Sequence, residues 1–342
     1  MDRITIIGLG LIGGSLGLAL KAAKLKNVEV VGVDISWDVV NAAKRRGAVD
    51  FTERDISRAV RDASLVVVAT PIMAFPQVFE AIAPDLKDGS VVTDVGSTKT
   101  QVMQWAQEKL PAGVNFVGGH PMAGKEAGGF DAASATLFQG TTYCVLPSPT
   151  ASKGAVELVS GLATTVGATP YFVDTAEHDM LVAGVSHLPL VLSAALVNAT
   201  AASPSWDEMG KLASSGFRDT SRLASSDQEL AKGITLTNQA GLLHWIDAYL
   251  TVLLDWRKAL TEDPERLLAN LDKARQARDR WAAGQSQRQA PEAAPIPTAG
   301  EQMAEMFMGS RLAQALRDQG ERLRDIERGG GRGGEGGSPE RR

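Results

Sequence analysis

Gly8-Leu9-Gly10-Leu11-Ile12-Gly13-Gly14-Ser15 follows the short apolar run Ile4-Thr5-Ile6-Ile7 and opens into a segment that reads as helix from Leu16 to Lys24. Strand, glycine turn and helix are what a dinucleotide pyrophosphate needs. Gly8 permits the tight turn, Gly10 lets backbone approach the phosphates without a Cβ in the way, and Gly13 allows close packing of helix on strand. The helix N-terminus adds unpaired N–H groups and a partial positive charge. Gly8, Leu9, Gly10, Leu11, Ile12 and Gly13 are therefore the candidate cradle. A second apolar run, Val28 to Val33, ends in Asp34, which lies 21 residues after Gly13. That is close to where an acid hydrogen-bonds the adenosine ribose 2′-hydroxyl.

Outward from this turn, apolar runs alternate with helical stretches as far as residue 147. The runs are Ile4 to Ile7, Val28 to Val33, Leu65 to Ala69, Ser90 to Val95, Phe116 to Gly118 and Thr142 to Leu146. Such alternation predicts an α/β Rossmann fold, a doubly wound and mostly parallel sheet. The runs lack polar alternation, as strands covered on both faces do. Thr70-Pro71 and Gly96-Ser97 each follow a strand directly, at the ends where open α/β sheets bind ligands. Ala151 to Thr165 reads as a helix and Tyr171 to Asp174 as a short strand, so the dinucleotide-binding domain is expected over 1–174.

Beyond Asp174 the pattern is helical, and an all-helical substrate and dimerisation domain is expected over 175–283. Thr175 to Ala202 is a long apolar helical region that Pro189 should kink. Ser226 to Leu260 reads as one long helix, with Leu236, Leu243, Leu250 and Leu254 at sevens and fours and Trp256 widening the stripe. A helix apolar around so much of its girth belongs in a domain core or a subunit interface. Pro264 to Trp281 reads as a further amphipathic helix. The remainder, 284–342, divides into a Gln, Ser, Pro and Ala rich linker (Gly284 to Gly300), one more helical stretch (Met303 to Ile326) and a glycine-rich tail expected to be disordered.

Composition narrows the function. The chain has 342 residues, 44% of them apolar, and a net charge of −5, with no basic excess to point to nucleic acid. A single cysteine, Cys144, rules out a disulfide scaffold and a cysteine-based zinc site. The apolar start runs straight into the glycine turn without a small-residue cleavage site, and Met180 to Ala202, the nearest approach to a membrane span, contains His187 and Pro189. A cytoplasmic enzyme, associated with neither nucleic acid nor membrane, is the expectation.

Hydride removal from a hydroxyl-bearing carbon needs a base for the accompanying proton, and histidine is the usual one near neutral pH. The chain has four: His120, His178, His187 and His244. His120, in Gly118-Gly119-His120-Pro121-Met122-Ala123-Gly124-Lys125-Glu126, reads as part of a loop at the edge of the cofactor cleft. His178 and His187 lie in the apolar helical region, where packed, hydrogen-bonded histidines are the rule, and His244 falls inside a long helix. Arg218 and Arg222, in Gly216-Phe217-Arg218-Asp219-Thr220-Ser221-Arg222, share a helix face and offer planar charged forks suited to a carboxylate. Asp94-Val95-Gly96-Ser97-Thr98-Lys99 has the look of a phosphate-binding loop, but Val91 stands where its first glycine belongs.

Together GLGLIGGS at 8, DVGSTK at 94, GGHPMAGKE at 118, HD at 178, SHLP at 186 and GFRDTSR at 216 resemble the prephenate/arogenate dehydrogenases of tyrosine biosynthesis, over roughly residues 3 to 280. The resemblance implies a Rossmann domain followed by a helical dimerisation domain, and a homodimer. It implies hydride transfer to NAD or NADP coupled to decarboxylation, converting a cyclohexadienol into a phenol. By the same resemblance His120 takes the ring-hydroxyl proton, and Ser97 orients that hydroxyl and His120. Arg222 clamps the ring carboxylate, Arg218 and Asp219 shape the pocket, and Glu126, His178 and His187 lie toward the entrance or the substrate side chain. The SHLP segment in many prephenate-using members ends in a second histidine, and here that place is Leu190. With the run Leu212 to Arg222, this favours arogenate as substrate. Asp34 favours NAD, since its carboxylate repels a 2′-phosphate, although arogenate-preferring relatives often use NADP. Two rivals are a β-hydroxyacid dehydrogenase and a non-catalytic dinucleotide sensor. The first would want a lysine on the first long helix of the second domain, yet Thr175 to Ala202 contains none. His120, Ser97 and Arg222 together argue against the second.

Overall fold

In the computed structural model, which describes residues 2–125 and 127–288, the apolar runs of the first half become strands of one eight-stranded sheet. They are β1 (Asp2–Ile7), β2 (Val28–Val33), β3 (Phe51–Thr52), β4 (Leu65–Val68), β5 (Val91–Asp94), β6 (Asn115–Pro121), β7 (Thr142–Pro147) and β8 (Thr169–Phe172). Their order is β3-β2-β1-β4-β5-β6-β7-β8. Every neighbouring pair is parallel except β6 with β7. The chain steps from β1 to β2 on one side and to β4 on the other, so the order reverses between β1 and β4, the switch point where such sheets take their ligands.

Helices α1 (Leu11–Ala22), α2 (Trp37–Arg45), α3 (Ile56–Val60), α4 (Phe75–Ile82), α5 (Thr100–Lys109) and α6 (Lys153–Thr165) cover the two faces. Ile4, Ile6, Leu65, Val67 and Val91 pack with Leu16 and Leu20 of α1 and with Leu158 and Leu162 of α6. Ile7, Val66, Val68 and Val92 point the other way, into Phe75 and Phe79 of α4 and Val102 of α5. Successive strand residues alternate between faces, so a strand buried on both sides must be apolar throughout. Thr5 of β1 and Thr93 and Asp94 of β5 are buried polar exceptions, and the Thr5 hydroxyl donates to the Ala59 carbonyl at 2.6 Å.

Two sequence expectations shift here. The first helix begins at Leu11 rather than Leu16, because Gly13 and Gly14 sit inside its opening turns, where backbone needs room. His120 is not in a loop but within β6, paired with Cys144, because antiparallel β7 extends the ladder through Pro121.

The chain divides into two units, one ending at Thr175 and the other starting at Ala176. The second contains only helices among its described residues. After α7 (Thr175–Val182) comes a π-helical turn, Ala183–His187, and then α8 (Leu188–Ala201). The expected kink at Pro189 thus takes the form of a π turn, in which the Leu188 N–H reaches back five residues to the Ala183 carbonyl. This run of 27 residues is long and apolar enough to cross a membrane. It nevertheless buries His178, Asp179, His187 and Ser193, and three of these bond to other segments of the same unit.

The remaining helices are α9 (Trp206–Leu212), α10 (Ser215–Ser221), α11 (Gln228–Thr237), α12 (Gln239–Glu262) and α13 (Pro264–Arg288). The single long helix expected over Ser226 to Leu260 is therefore two, broken at Asn238, whose φ −130° and ψ 44° are not helical. Leu242 is buried, whereas Leu243, Leu250, Leu253 and Leu254 of α12 stand exposed on the single chain. Helix α13 runs on to Arg288, past the Gly284 expected to open a linker. The helical stretch Met303 to Ile326 and the glycine-rich tail lie outside the described residues.

Candidate active site

The glycine turn fits a pyrophosphate by the space it leaves. Gly8 has φ +93°, and a Cβ there would sit 2.6 Å from the Ala69 carbonyl oxygen and 2.8 Å from the Thr70 nitrogen. A Cβ on Gly13 would lie 1.9 Å from the Gly8 oxygen, while one on Gly10 would meet nothing within 4 Å. Gly8 and Gly13 therefore close the turn on itself, and Gly10 faces open space. Helix α1 begins there with Gly10 as its N-cap, no side-chain cap and no acid in its first turn. Its first N–H groups and Leu11 and Ile12 are left for an anion. Thr70 and Pro71 border the turn at the end of β4 and lead into a 3-10 turn at Ile72.

Asp34 is fixed beside it. One carboxylate oxygen accepts the Leu9 N–H at 2.8 Å and the other the Ser36 N–H at 2.8 Å. The acid is thereby tied to the glycine turn and half-exposed at the end of β2, where a ribose hydroxyl can donate to its remaining lone pairs. These residues fit the adenosine half of a dinucleotide.

At the end of β5 a buried ion pair organises the catalytic candidates. Asp94 and Lys99 are both 0% exposed and joined by a salt bridge. The same carboxylate accepts the Gly96 N–H at 2.7 Å and the Gly119 N–H at 3.2 Å. Gly96 immediately precedes Ser97 and Gly119 immediately precedes His120, so one side chain links the backbones that carry both. Burial pushes the Asp94 carboxyl upward, with Lys99 and the two N–H donors pulling against it. Gly119 is required by close approach, because a Cβ would stand 2.5 Å from the Asp94 carbonyl oxygen and 2.8 Å from the Tyr143 hydroxyl. His120 is 7% exposed, Ser97 half-buried. Cys144 is buried opposite His120 in β7, and burial pushes its thiol up to about 11, so it stays protonated and unreactive near neutral pH.

In the helical unit, His178 Nδ1 lies 2.8 Å from Asp179 Oδ1, both side chains buried. His187, fully buried at the end of the π turn, has Nδ1 3.2 Å from the Asn238 amide nitrogen, and its Nε2 meets no hydrogen-bond partner among the described residues. Burial pulls its pKa down to about 4, so the ring is neutral. Arg218 lies in the last turn of α10, but Arg222 is that helix's C-cap and opens a 3-10 turn through Ser225. The two therefore span a helix end instead of a continuous helical face. Buried Ser193 of α8 accepts the Ala224 N–H at 2.8 Å, which anchors that turn. Arg218, Asp219 and Arg222 are exposed, as is His244. Glu126 lies outside the described residues, and Leu190, in the place of a second histidine, is buried.

Lys99, Ser193 and Asn238 are three residues that sequence reasoning passed over. Lys99 left a trace as the last residue of the DVGSTK motif, five residues after Asp94, where no local pattern assigned it a role of its own. Asn238 left another, an amide inside a leucine-rich run. Ser193 left none.

Comparison with known proteins places these features in a family. Residues 16–171 match the prephenate dehydrogenase nucleotide-binding domain, and residues 174–273 match the prephenate dehydrogenase dimerization domain. The chain is 34% identical over 283 residues to the prephenate dehydrogenase of Bacillus subtilis, covering 81% of this chain and 76% of that one. It is 33% identical over 279 residues to the cyclohexadienyl dehydrogenase of Zymomonas mobilis, with coverages of 81% and 94%. Among solved structures, Synechocystis arogenate dehydrogenase aligns with TM-score 0.70 and 31% identity, over 82% of this chain and 99% of that one. Prephenate dehydrogenase from A. aeolicus in complex with hydroxyphenyl propionate and NAD+ aligns with TM-score 0.77 and 26% identity, with coverages of 82% and 98%. With its nicotinamide-dinucleotide turn, its buried Asp94 clip and both domains matched in order, the chain belongs to the prephenate dehydrogenase family.

Proposed function

We propose that this chain catalyses the NAD-dependent oxidative decarboxylation of arogenate to tyrosine, with prephenate as the alternative substrate, in the cytoplasm. The observation that carries the reading is the Asp94 carboxylate, which binds the backbone N–H groups next to Ser97 and to His120 at the ligand-binding edge of the sheet. A base and an orienting hydroxyl on backbones pinned to one buried anion meet the demand for fixed geometry in proton removal.

His120 takes the proton of the ring C4 hydroxyl, and Ser97 holds that hydroxyl in line. When bound, the nicotinamide cofactor accepts the hydride leaving C4. The ring carboxylate departs from C1 as carbon dioxide, its bonding electrons pass through the ring to the C4 oxygen, and that oxygen takes the proton back from His120 to give the aromatic phenol. Arg222 holds that carboxylate before it leaves, Arg218 and Asp219 shape its surroundings, and Glu126, His178 and His187 serve the substrate side-chain end. Gly8 to Gly13, Asp34, Thr70 and Pro71 hold the dinucleotide. The functional division is a dinucleotide-binding domain over 1–174, a substrate and dimerisation domain over 175–283, and an extension over 284–342. Exposed Leu243, Leu250 and Leu254 support a homodimer through the helical domain.

Arogenate is preferred because Leu190 cannot offer the polar contact that a histidine there would give a keto-acid side chain. NAD is preferred because Asp34 accepts a ribose hydroxyl and repels a phosphate. A two-by-two assay, arogenate or prephenate against NAD or NADP, repeated with tyrosine present, tests both preferences. Higher kcat/KM with prephenate, or with NADP, overturns the corresponding one. His120→Asn is expected to lower kcat about 10²- to 10⁴-fold while leaving KM nearly unchanged; full kcat in that variant would remove His120 as the base.

A further inference from the structure

The geometry points to Asn238 as a positioning residue that holds His187 in its Nε2–H tautomer, a neutral donor aimed at an oxygen acceptor of the substrate. This rests on the reading that His187 belongs to the substrate site. Asn238 Nδ2 lies 2.7 Å from the backbone oxygen of Asp179. A carbonyl can only accept, so the Asn238 atom facing it is the NH2 group, whatever else surrounds the side chain. The second hydrogen of that NH2 points to His187 Nδ1 at 3.2 Å. Nδ1 must then carry a lone pair, and the ring proton resides on Nε2.

His187 is 0% exposed, and its Nε2 has no acceptor among the described residues. A buried N–H with nothing to donate to is costly, and a ligand oxygen relieves that cost. The neutrality of the ring agrees. Burial favours the uncharged imidazole, and neighbouring His178 opposes a second positive charge more weakly than burial does, while Asp179 acts the other way. A substrate that brings carboxylates suits such a donor, since hydrogen bonds to charged acceptors are the stronger kind.

The surrounding backbone is built to keep this arrangement. His187 ends the π turn, and π turns occur frequently at functional sites. Helix α12 braces the turn at two further points. Trp245 Nε1 donates to the Met180 carbonyl at 2.9 Å, and the indole packs so closely on Gly184 that a Cβ there would lie 2.7 Å from it. Asn238 is the break between α11 and α12, so its side chain reaches the turn because the helix stops there.

The decisive measurement is 15N NMR of the histidine ring nitrogens in the substrate-free full-length protein near neutral pH, with His187→Gln used for assignment. The expected pattern has a protonated Nε2 and an unprotonated Nδ1. A protonated Nδ1, alone or in an imidazolium, overturns the proposal. In Asn238→Asp the carboxylate accepts from Nδ1, so that nitrogen should become protonated. KM for the preferred substrate is then expected to rise about tenfold to a hundredfold, with a smaller change in kcat and unchanged NAD affinity. An unchanged KM in folded Asn238→Asp also overturns it. Should that variant fail to fold, His187→Gln, which retains an N–H near Nε2, is expected to keep KM within a few-fold of wild type while His187→Leu raises it; equal KM values for the two overturn the proposal. If neither arogenate nor prephenate is turned over, the proposed function fails while the NMR result still decides the tautomer.

Discussion

The two units of this chain bury polar groups in opposite ways. At the end of β5 the first unit buries a full charge pair, Asp94 with Lys99, and surrounds the carboxylate with two backbone donors. The second unit, besides its buried His178–Asp179 pair, buries a neutral pair, Asn238 with His187, and leaves one ring nitrogen without a partner among the described residues. Their apolar surfaces differ as well. Side chains of the central strands β1, β4 and β5 are enclosed on both faces by helices of the first unit, and only its edge strands leave Phe51, Tyr171 and Phe172 exposed, whereas α12 of the second leaves Leu243, Leu250 and Leu254 exposed. A buried charge pair suits a scaffold that must not shift, because neither member can leave without stranding the other. A neutral donor suits a surface that waits for a ligand.

The sharpest way to break that comparison is Lys99→Met, which strands the Asp94 carboxylate in the core of the first unit. Breaking a buried pair from one side costs about 3–5 kcal/mol, so a large fall in the denaturation midpoint is expected, and adding Asp94→Asn should recover much of it. A stability close to wild type in the single variant would mean that the pair is not structural. Next comes the apolar face of the helical unit. Leu250→Glu with Leu254→Glu should shift sedimentation from dimer to monomer, since each leucine withheld from burial forfeits about 1.5–3 kcal/mol, while NAD affinity stays unchanged. A dimer that survives both charges lies on another face.

The neutral pair makes a pH prediction. His187 falls from its ordinary 6.5 to about 4 in the fold. The unfolded chain therefore binds a proton that the folded chain refuses between those values. Stability from this group is fully present above the unfolded value and declines as pH falls toward the folded one. On going from about pH 7 to about pH 5, it should contribute a loss of about 2 kcal/mol. Urea titrations of wild type and His187→Gln at both pH values separate this from other groups, and identical slopes in the two proteins would place the loss elsewhere. The smallest effect concerns Asp34. Asp34→Ser should shift the ratio of NAD to NADP kcat/KM by roughly tenfold toward NADP through loss of phosphate repulsion, with no change in stability beyond the two backbone bonds it gives up.

Much of the first unit was legible in the chain itself. Gly8, Gly10 and Gly13 announce a turn that only glycine permits, and continuous apolar runs announce strands covered on both faces. These signals are local, set by backbone sterics and by the two-residue period of a strand. Boundaries were less legible where a neighbour decides them. His120 reads as a loop residue beside Gly119 and Pro121, yet pairing with β7 draws it into a strand. The helical unit was harder to read, because its apolar residues have no single period and its breaks depend on tertiary contacts. Ser226 to Leu260 reads as one helix, and Asn238 divides it while bonding to Asp179 and His187, far away in the chain.

From the chain alone came the alternation of the main strands and helices of the first unit, the nucleotide turn and the small set of histidines and arginines able to do chemistry. Those follow from side-chain type and short-range spacing. Only the tertiary structure decided that one carboxylate links the backbones of Ser97 and His120, that Ser193 anchors the turn bearing Arg222, and that the free nitrogen of His187 is its Nε2. Each of these depends on hydrogen bonds between residues remote along the chain or on different elements, whose lengths and directions are set by packing and are not written in any local pattern.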